Sequence, residues 1–138
     1  MKRMFLILIM VTLLGTAFTI PEEKAPPQTD GVWYVEKVVY TLMRCNNLYY
    51  DLGVEFSEGC VIRHTIWQGH TIWQFTSYHW GCCPYMKIYP NPQNQYATFD
   101  AVVTVVYRNI YGGVYYDTEQ RLCTYAPVAL YNCIQYPN

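Results

Sequence analysis

Hydrophobic and polar residues alternate along much of this chain, which is the pattern of β-strands with one face turned to a core. The clearest alternation runs from Tyr96 to Arg108. Its apolar positions are Phe99, Ala101, Val103, Val105 and Tyr107. The chain is rich in Tyr, Val, Thr, Ile and Trp, which suit a pleated surface, and convincing helical periodicity is absent. We therefore predict an all-β fold.

Turn-forming residues divide the chain into eight predicted strands. Breaks fall at positions such as Asn46-Asn47, Gln68-Gly69 and Gly112-Gly113. The predicted strands are 32–42, 54–67, 70–80, 85–89, 96–109, 114–117, 121–125 and 129–136. Eight antiparallel strands with short links favour a closed up-and-down barrel stabilised by disulfides, because closure removes exposed strand edges. A disulfide-rich β-sandwich is the alternative.

One pentapeptide occurs twice around a single glycine, first from His64 to Gln68 and again from His70 to Gln74. In one continuous strand Trp67 and Trp73 would share a face, because their spacing is even. A two-residue turn at Gln68-Gly69 would instead place them on opposite faces. Glycine at the second turn position favours the turn, so we predict the two arms of a hairpin. The histidines at 64 and 70 then face opposite ways, and we expect no metal site.

The first residues have the features of a secretory signal peptide. A basic start at Met1-Lys2-Arg3 precedes an apolar run over 4–14 and small residues over 15–17. We predict a signal peptide at 1–17, a flexible proline-rich leader at 18–29 and a single barrel domain at 30–138. The apolar run is shorter than the roughly 20 residues that cross a bilayer, and no other segment resembles a membrane anchor. The mature protein is expected to be secreted and extracellular.

Six cysteines in an exported chain indicate up to three disulfides. They are Cys45, Cys60, Cys82, Cys83, Cys123 and Cys133. Adjacent residues of an extended strand point to opposite faces, so we expect Cys82 and Cys83 to have different partners. A disulfide between these two neighbours is the alternative. A bridge from Cys123 to Cys133 fits the last predicted hairpin, and a link from either one to Cys60 fits equally well.

The charge balance and the motif content argue against several classes of protein. Nine basic and ten acidic residues give a net charge of −1, and loss of Lys2 and Arg3 with the signal peptide would bring it near −3. A mildly acidic chain without a basic run is a poor nucleic-acid binder. The chain lacks G-x-S-x-G, H-E-x-x-H and glycine-rich phosphate-loop motifs. We therefore expect neither catalysis nor a cofactor.

The segment Gly31-Val32-Trp33-Tyr34 opens the first predicted strand shortly after the signal peptide, and it resembles the G-x-W-[YF] motif of lipocalins, which are calycins. In that family the strand opens an eight-stranded barrel and the motif tryptophan plugs its closed end. The resemblance therefore implies structural roles for Gly31 and Trp33 at the base of a barrel. It covers residues 30 to about 40 by motif.

A barrel of this size holds one small ligand, and its inward residues decide which. On the orientation that the resemblance implies, the predicted ligand-binding residues are Trp33, Val35, Val39, Trp67, Trp73, Phe99, Val103, Val105 and Tyr107. This lining predicts a secreted carrier or scavenger of a lipid, odorant, retinoid or other apolar or aromatic molecule. If the other face of 96–109 were inward, Asp100 beside aromatic rings would suit a biogenic amine.

Fifteen tyrosines in so short a chain support a different hypothesis. Exposed tyrosines suit an extracellular matrix protein or a protein-interaction domain, in which aromatic residues act as anchors. The two hypotheses differ in where the aromatic residues lie. A carrier hides most of them around a cavity, whereas an interaction protein presents several on one outer patch. The alternative to a small ligand is therefore an extracellular protein partner.

Overall fold

The computed structural model describes residues 32–92 and 96–137, which form two four-stranded antiparallel sheets packed as a sandwich. The strands of this part are β1 (Trp33–Arg44), β2 (Asp51–Glu58), β3 (Val61–Gln68), β4 (Ile72–Ser77), β5 (Tyr85–Tyr89), β6 (Phe99–Asn109), β7 (Val114–Thr124) and β8 (Val128–Tyr131). The all-β prediction is confirmed. The predicted signal peptide, the predicted leader and Gly31 lie outside the described residues.

The predicted closed barrel is wrong, and the sandwich alternative is confirmed. Sheet A has the strand order β4-β1-β6-β7, and sheet B has the order β3-β2-β5-β8. In an up-and-down barrel each strand pairs with the next one along the chain. Among the described strands only β2–β3 and β6–β7 do so, and the other five connections cross from one sheet to the other. Both architectures have short links between alternating strands, so the pattern alone does not separate them.

Two of the predicted divisions between strands are wrong, and the last predicted strand, 129–136, is too long because β8 ends at Tyr131. The predicted strand 54–67 is two strands, β2 and β3, joined by a two-residue turn at Gly59-Cys60. Conversely, the predicted strands 114–117 and 121–125 are one strand, β7, in which residues 117–120 pair with β6. The polar residues at 117–120 resemble a turn in sequence, but they lie on an edge strand where polar side chains face water.

The core-facing positions of β1 shift at a bulge. The pairing of β1 with β6 slips between Val35 and Lys37, so one extra residue is inserted into β1. The buried side chains of β1 after the bulge are Val38, Tyr40 and Leu42. Val39, which strict alternation from Trp33 places inside, is instead half-buried on the outer face of sheet A. The predicted inward orientation of Val39 is therefore wrong.

The predicted hairpin at the pentapeptide repeat is also wrong. The first copy lies in β3 of sheet B, whereas the second copy leads into β4 of sheet A, so the two copies do not pair. Gly69 lies between them, where the chain leaves one sheet for the other. The buried Trp67 donates a hydrogen bond from Nε1 to the backbone carbonyl of His70 at 3.1 Å. The repeat is therefore a crossover between the two layers.

Three disulfides hold the ends of strands together, and all six cysteines lie in the described part of the chain. The pairs are Cys45–Cys123, Cys60–Cys82 and Cys83–Cys133, with Cα separations of 5.7, 5.1 and 4.2 Å. The expectation that Cys82 and Cys83 have different partners is confirmed. A bridge from Cys123 to Cys133, or from either one to Cys60, is wrong. Three disulfides indicate an oxidising compartment.

Candidate functional site

The residues predicted to bind a ligand belong to the packed core between the sheets. Seven of the nine are fully buried there: Trp33, Val35, Trp67, Phe99, Val103, Val105 and Tyr107. Trp73 packs against this core while remaining partly exposed, and Val39 lies on the outer face. The fold therefore brings eight of the nine residues together, as neighbours in one core.

Aromatic rings from both sheets fill the centre of the sandwich. Trp67 meets Tyr50 edge-on at 5.2 Å and Phe99 at 6.1 Å between ring centroids. Phe56 of sheet B meets Trp73 of sheet A at 5.3 Å. Edge-to-face pairs of this kind stabilise a core beyond the area that they bury. These contacts give the aromatic residues a structural role in joining the two sheets.

Asp100, the residue considered for an amine ligand, supports a disulfide. The pairing of β6 with β7 slips between residues 99 and 101, and Cys123 lies in the resulting bulge with φ at +41°. Its backbone N–H donates to Asp100 Oδ1 at 2.7 Å. Asp100, Cys45 and Cys123 are also the one group of three potential metal ligands among the described residues. Because the two sulfurs are bonded to each other, we assign no metal to it.

Most tyrosines point away from the core. All fifteen lie in the described part of the chain, and ten of them are exposed. The exposed ones are Tyr34, Tyr49, Tyr78, Tyr89, Tyr96, Tyr111, Tyr116, Tyr125, Tyr131 and Tyr136. A carrier was expected to hide most aromatic residues around a cavity, and an interaction protein to present them. Two thirds of the tyrosines therefore lie at the surface, on both sheets and in the loops.

One outer patch combines several of these rings with charged groups. We call it the tyrosine face, and it consists of Glu55 on β2, Tyr85, Lys87 and Tyr89 on β5, and Tyr131 on β8. Strand pairing places Lys87 beside Glu55 and Tyr131 beside Tyr85, all on the side of sheet B that faces away from the core. The rings of Tyr85 and Tyr131 lie 4.9 Å apart between centroids.

The carboxylate at the centre of the tyrosine face orients the rings around it. Tyr89 donates a short hydrogen bond from its hydroxyl to Glu55 Oε2, and Tyr85 donates a longer one, of 3.4 Å, to the same oxygen. Lys87 Nζ lies 4.8 Å from the centroid of the Tyr89 ring, which is a cation–π distance. These contacts link Glu55, Tyr85, Tyr89 and Lys87 into one connected group of side chains.

The surroundings of Tyr85 and Tyr89 raise the pKa of both hydroxyls. Burial, and then the negative charge of Glu55, raise the pKa of Tyr85 to about 12. The hydrogen bond to Glu55 is the main cause that raises the pKa of Tyr89. Both hydroxyls are neutral at neutral pH, as in an ordinary tyrosine, and each donates its hydrogen to Glu55.

Ser57 joins the tyrosine face to the core beneath it. Its Oγ accepts the backbone N–H of Tyr85 at 3.0 Å and lies 2.7 Å from the hydroxyl of the buried Tyr40. Burial raises the pKa of Tyr40, so its hydroxyl remains neutral and hydrogen-bonded. Ser57 thus holds the start of β5 on its core-facing side, which limits how far Tyr85 can move.

Two open grooves flank the tyrosine face. One, of about 270 Å³, lies between Tyr85, Tyr131, Ile62 and the Cys60–Cys82 disulfide. The other, of about 290 Å³, lies between Tyr89, Ile66 and the loop at 90–92. The tyrosine rings therefore form a ridge with a depression at each end, which is a shape that a protein surface can match.

The sequence contains one signal for this surface. In 85–89 the polar and aromatic residues Tyr85, Lys87 and Tyr89 alternate with the apolar Met86 and Ile88. That alternation places the two tyrosines and the lysine on one outer face. The position of Glu55 between the tyrosines follows from the pairing of β2 with β5, which is not local in sequence.

Comparisons with protein families, with curated proteins and with solved structures give no match to this chain. The resemblance of residues 31–34 to the lipocalin motif therefore stays a prediction, while the barrel that it implied is replaced by a sandwich. Within residues 32–92 and 96–137, no helix has the length and apolar character to cross a membrane.

Proposed function

We propose that this protein is a secreted, non-catalytic recognition domain that binds another extracellular protein through the tyrosine face. The observation that carries the proposal is the ridge of Tyr85, Tyr89 and Tyr131 on the outside of sheet B, with Glu55 holding two of the three hydroxyls. Tyrosine is enriched among the few residues that dominate protein–protein binding energy.

The physical properties of the patch support this function. A tyrosine ring offers a large apolar face at a small cost in conformational entropy, and its hydroxyl offers a directed hydrogen bond. Tyr131 is 62% exposed, so its ring is accessible to a partner. The contacts with Glu55 and Lys87 fix the neighbouring rings, and prior ordering of this kind reduces the entropy lost on binding.

The disulfides support an extracellular partner. Three of them persist only where the redox environment is oxidising, and the predicted signal peptide would bring the chain there. Secretion and an extracellular location therefore belong to the same proposal as the partner.

The test is site-specific photo-crosslinking with the oxidised, full-length mature protein. A photoreactive phenylalanine analogue replaces Tyr131 in one sample. In the control it replaces Tyr116, which is similarly exposed, at 55%, but lies on β7 in the other sheet. Each protein is incubated with the extracellular fluid of its source, irradiated and analysed by mass spectrometry.

We expect one adduct of defined mass from the probe at 131 and none of that mass from the probe at 116. Unlabelled wild type should compete for this adduct, whereas the double variant Tyr85→Ser/Tyr89→Ser should compete at least about tenfold less well, because anchor tyrosines contribute about 2 kcal/mol or more. Equal labelling from both positions, or equal competition by the double variant, would contradict the proposal.

Small-molecule transport is the second candidate, and it is favoured by the groove beside Tyr131. Its volume of about 270 Å³ is close to the lower end of ligand pockets, roughly 300 Å³. An apolar or aromatic molecule there would contact Ile62, Tyr85 and Tyr131. Native mass spectrometry of the purified protein tests this candidate, since a small adduct that is present in wild type and lost in Tyr131→Ala would support a carrier.

A further inference from the structure

We propose that two copies of this chain associate through the free edge of β3, in antiparallel register about a two-fold axis at His64. The two sheets B would then form one continuous eight-stranded sheet. This inference rests on the edge of β3, where His64 pairs with Glu55 and where Ile62 and Ile66 line the grooves beside the tyrosine face. It does not require a partner bound to that face.

Within residues 32–92 and 96–137, the edge of β3 lacks the features that protect the other sheet edges. β3 is eight residues long, and its pairing with β2 has no bulge. Of the other edge strands in the described chain, β4 and β8 are short, with six and four residues. β7 has the bulge at Cys123, and Asn132 of the segment after β8 donates to the carbonyl of Asp117 at 2.9 Å. Short length, bulges and covering segments are the usual protections against edge pairing.

The hairpin geometry determines which backbone groups of β3 face outward. Glu58 and Val61 form the pair that closes the two-residue turn, and such a closing pair is hydrogen-bonded. Hydrogen-bonded and non-hydrogen-bonded pairs then alternate along an antiparallel ladder. Ile62, His64 and Ile66 are therefore in the non-hydrogen-bonded pairs, and their N–H and C=O groups point away from β2. An extended strand is the partner that can bind such a row of groups.

The side chains of this edge are symmetric about His64. Ile62 and Ile66 are both large, apolar and exposed, at 45% and 62%, and each is two residues from His64. In the antiparallel register centred on His64, Ile62 of one copy packs against Ile66 of the other at both ends. A two-fold interface requires the same surface to be complementary to itself. This symmetry is the reason to choose a second copy as the occupant.

The inner side of β3 tolerates the same register. Arg63 is exposed and already paired with Glu58, with Nε 2.9 Å from Oε2. The register places Arg63 opposite Thr65 of the second copy, so the two Arg63 side chains do not meet. One strand edge and its flanking side chains make a small interface, so we expect a weak dimer that depends on protein concentration.

The test is charge substitution at the two-fold axis, read by sedimentation velocity at low salt with the disulfides intact. His64→Glu and His64→Lys each place two like charges against one another, and like charges directly opposite in a sheet weaken pairing by up to about fivefold. Position 64 also pairs with Glu55 of the same copy, so the effect expected across the axis is the one that both variants share. An equimolar mixture of the two variants places opposite charges there. The matched control is His70→Glu, because His70 is exposed and occupies the equivalent position in the second pentapeptide, away from the β3 edge.

We expect wild type and His70→Glu to dimerise alike, both His64 variants to shift toward monomer, and their mixture to recover the dimer. Hydrogen exchange provides a second measurement. The amides of Ile62, His64 and Ile66 should become protected as concentration rises, whereas those of Val61 and Arg63 should be protected throughout. A wild type that stays monomeric at millimolar concentration, or a dimer equally stable in both His64 variants, would overturn the proposal.

Discussion

Replacement of Gly69 by alanine should destabilise the protein by about 3 kcal/mol, because the residue combines an unusual backbone conformation with a close backbone contact. Gly69 has φ of +66°, and a Cβ added there would lie 2.7 Å from the backbone nitrogen of Tyr50 and 2.8 Å from its carbonyl oxygen. The left-handed conformation costs an alanine about 1–2 kcal/mol. Overpacking against backbone, which cannot rotate away, adds about 1–3 kcal/mol.

A second glycine separates the two contributions. Gly112 has φ of +85°, and a Cβ there would meet nothing within 4 Å. Gly112→Ala should therefore show the conformational cost alone, about 1 kcal/mol. The difference between the two variants measures the contact of Gly69 with Tyr50, which lies where the chain crosses between the sheets.

The assay is equilibrium unfolding in urea under non-reducing conditions, followed by tryptophan fluorescence. Trp67 is buried two residues before Gly69, so its emission reports on the region that is changed. The unfolding free energies are compared only if the variants have the same m-value, which is the slope of the unfolding free energy against urea concentration. A changed m-value would indicate that the compactness of the folded or unfolded state had changed. Stabilities of Gly69→Ala and Gly112→Ala that agree within about 0.5 kcal/mol, the usual spread of harmless substitutions, would refute the reasoning.

Three further predictions test the bulge, the tyrosine face and a disulfide. Val38→Thr should lower the free energy of unfolding by about 2 kcal/mol because it buries a hydroxyl in the core, whereas Val39→Thr should change it by less than about 0.5 kcal/mol; urea unfolding of both measures the difference. Tyr85 should ionise near its pKa of about 12, and Glu55→Gln should lower this pKa because it removes a negative charge; tyrosinate absorbance of wild type, variant and Tyr85→Phe assigns the step. An unfolded tyrosine ionises near pH 10, so the contribution of Tyr85 to stability should be intact below about pH 10 and lost as the pH rises toward its folded pKa. Replacement of Cys60 and Cys82 by alanine should destabilise the protein by about 3 kcal/mol, since the bridge closes a short loop, and an unchanged unfolding midpoint would contradict this.

The alternation of residue types predicted the existence of the strands, because one face of each strand is buried and the other is not. The segment 99–109 is the clearest example, since its inward residues 99, 101, 103, 105 and 107 are all buried. The same logic failed at Val39, because a bulge inserts one residue and reverses the faces of everything after it. Nothing in the residues from Val35 to Lys37 distinguishes a bulged strand from a regular one.

Strand pairing could not be predicted from local sequence, and the candidate site depends on it. The alternation in 85–89 identifies Tyr85 and Tyr89 as outward residues, but Glu55 joins them only because β2 pairs with β5, across two intervening strands. The pentapeptide repeat shows the same limit. Gln68-Gly69 has the residues of a hairpin turn, yet the chain there crosses between sheets, and Gly69 fits closely against the backbone of Tyr50.

The adjacent cysteines constrain the loop that leads into the tyrosine face. Cys82 binds the turn after β2 and Cys83 binds the segment after β8, so the loop just before Tyr85 is held from two directions. The Cys60–Cys82 bridge lines the groove beside Tyr131. The Cys83–Cys133 bridge lines a second depression, next to that groove. A surface ordered in advance loses less entropy when it binds. Loss of the Cys60–Cys82 bridge should therefore weaken partner binding even at temperatures where the variant is fully folded, because the tyrosine ridge would have to be ordered by the partner itself.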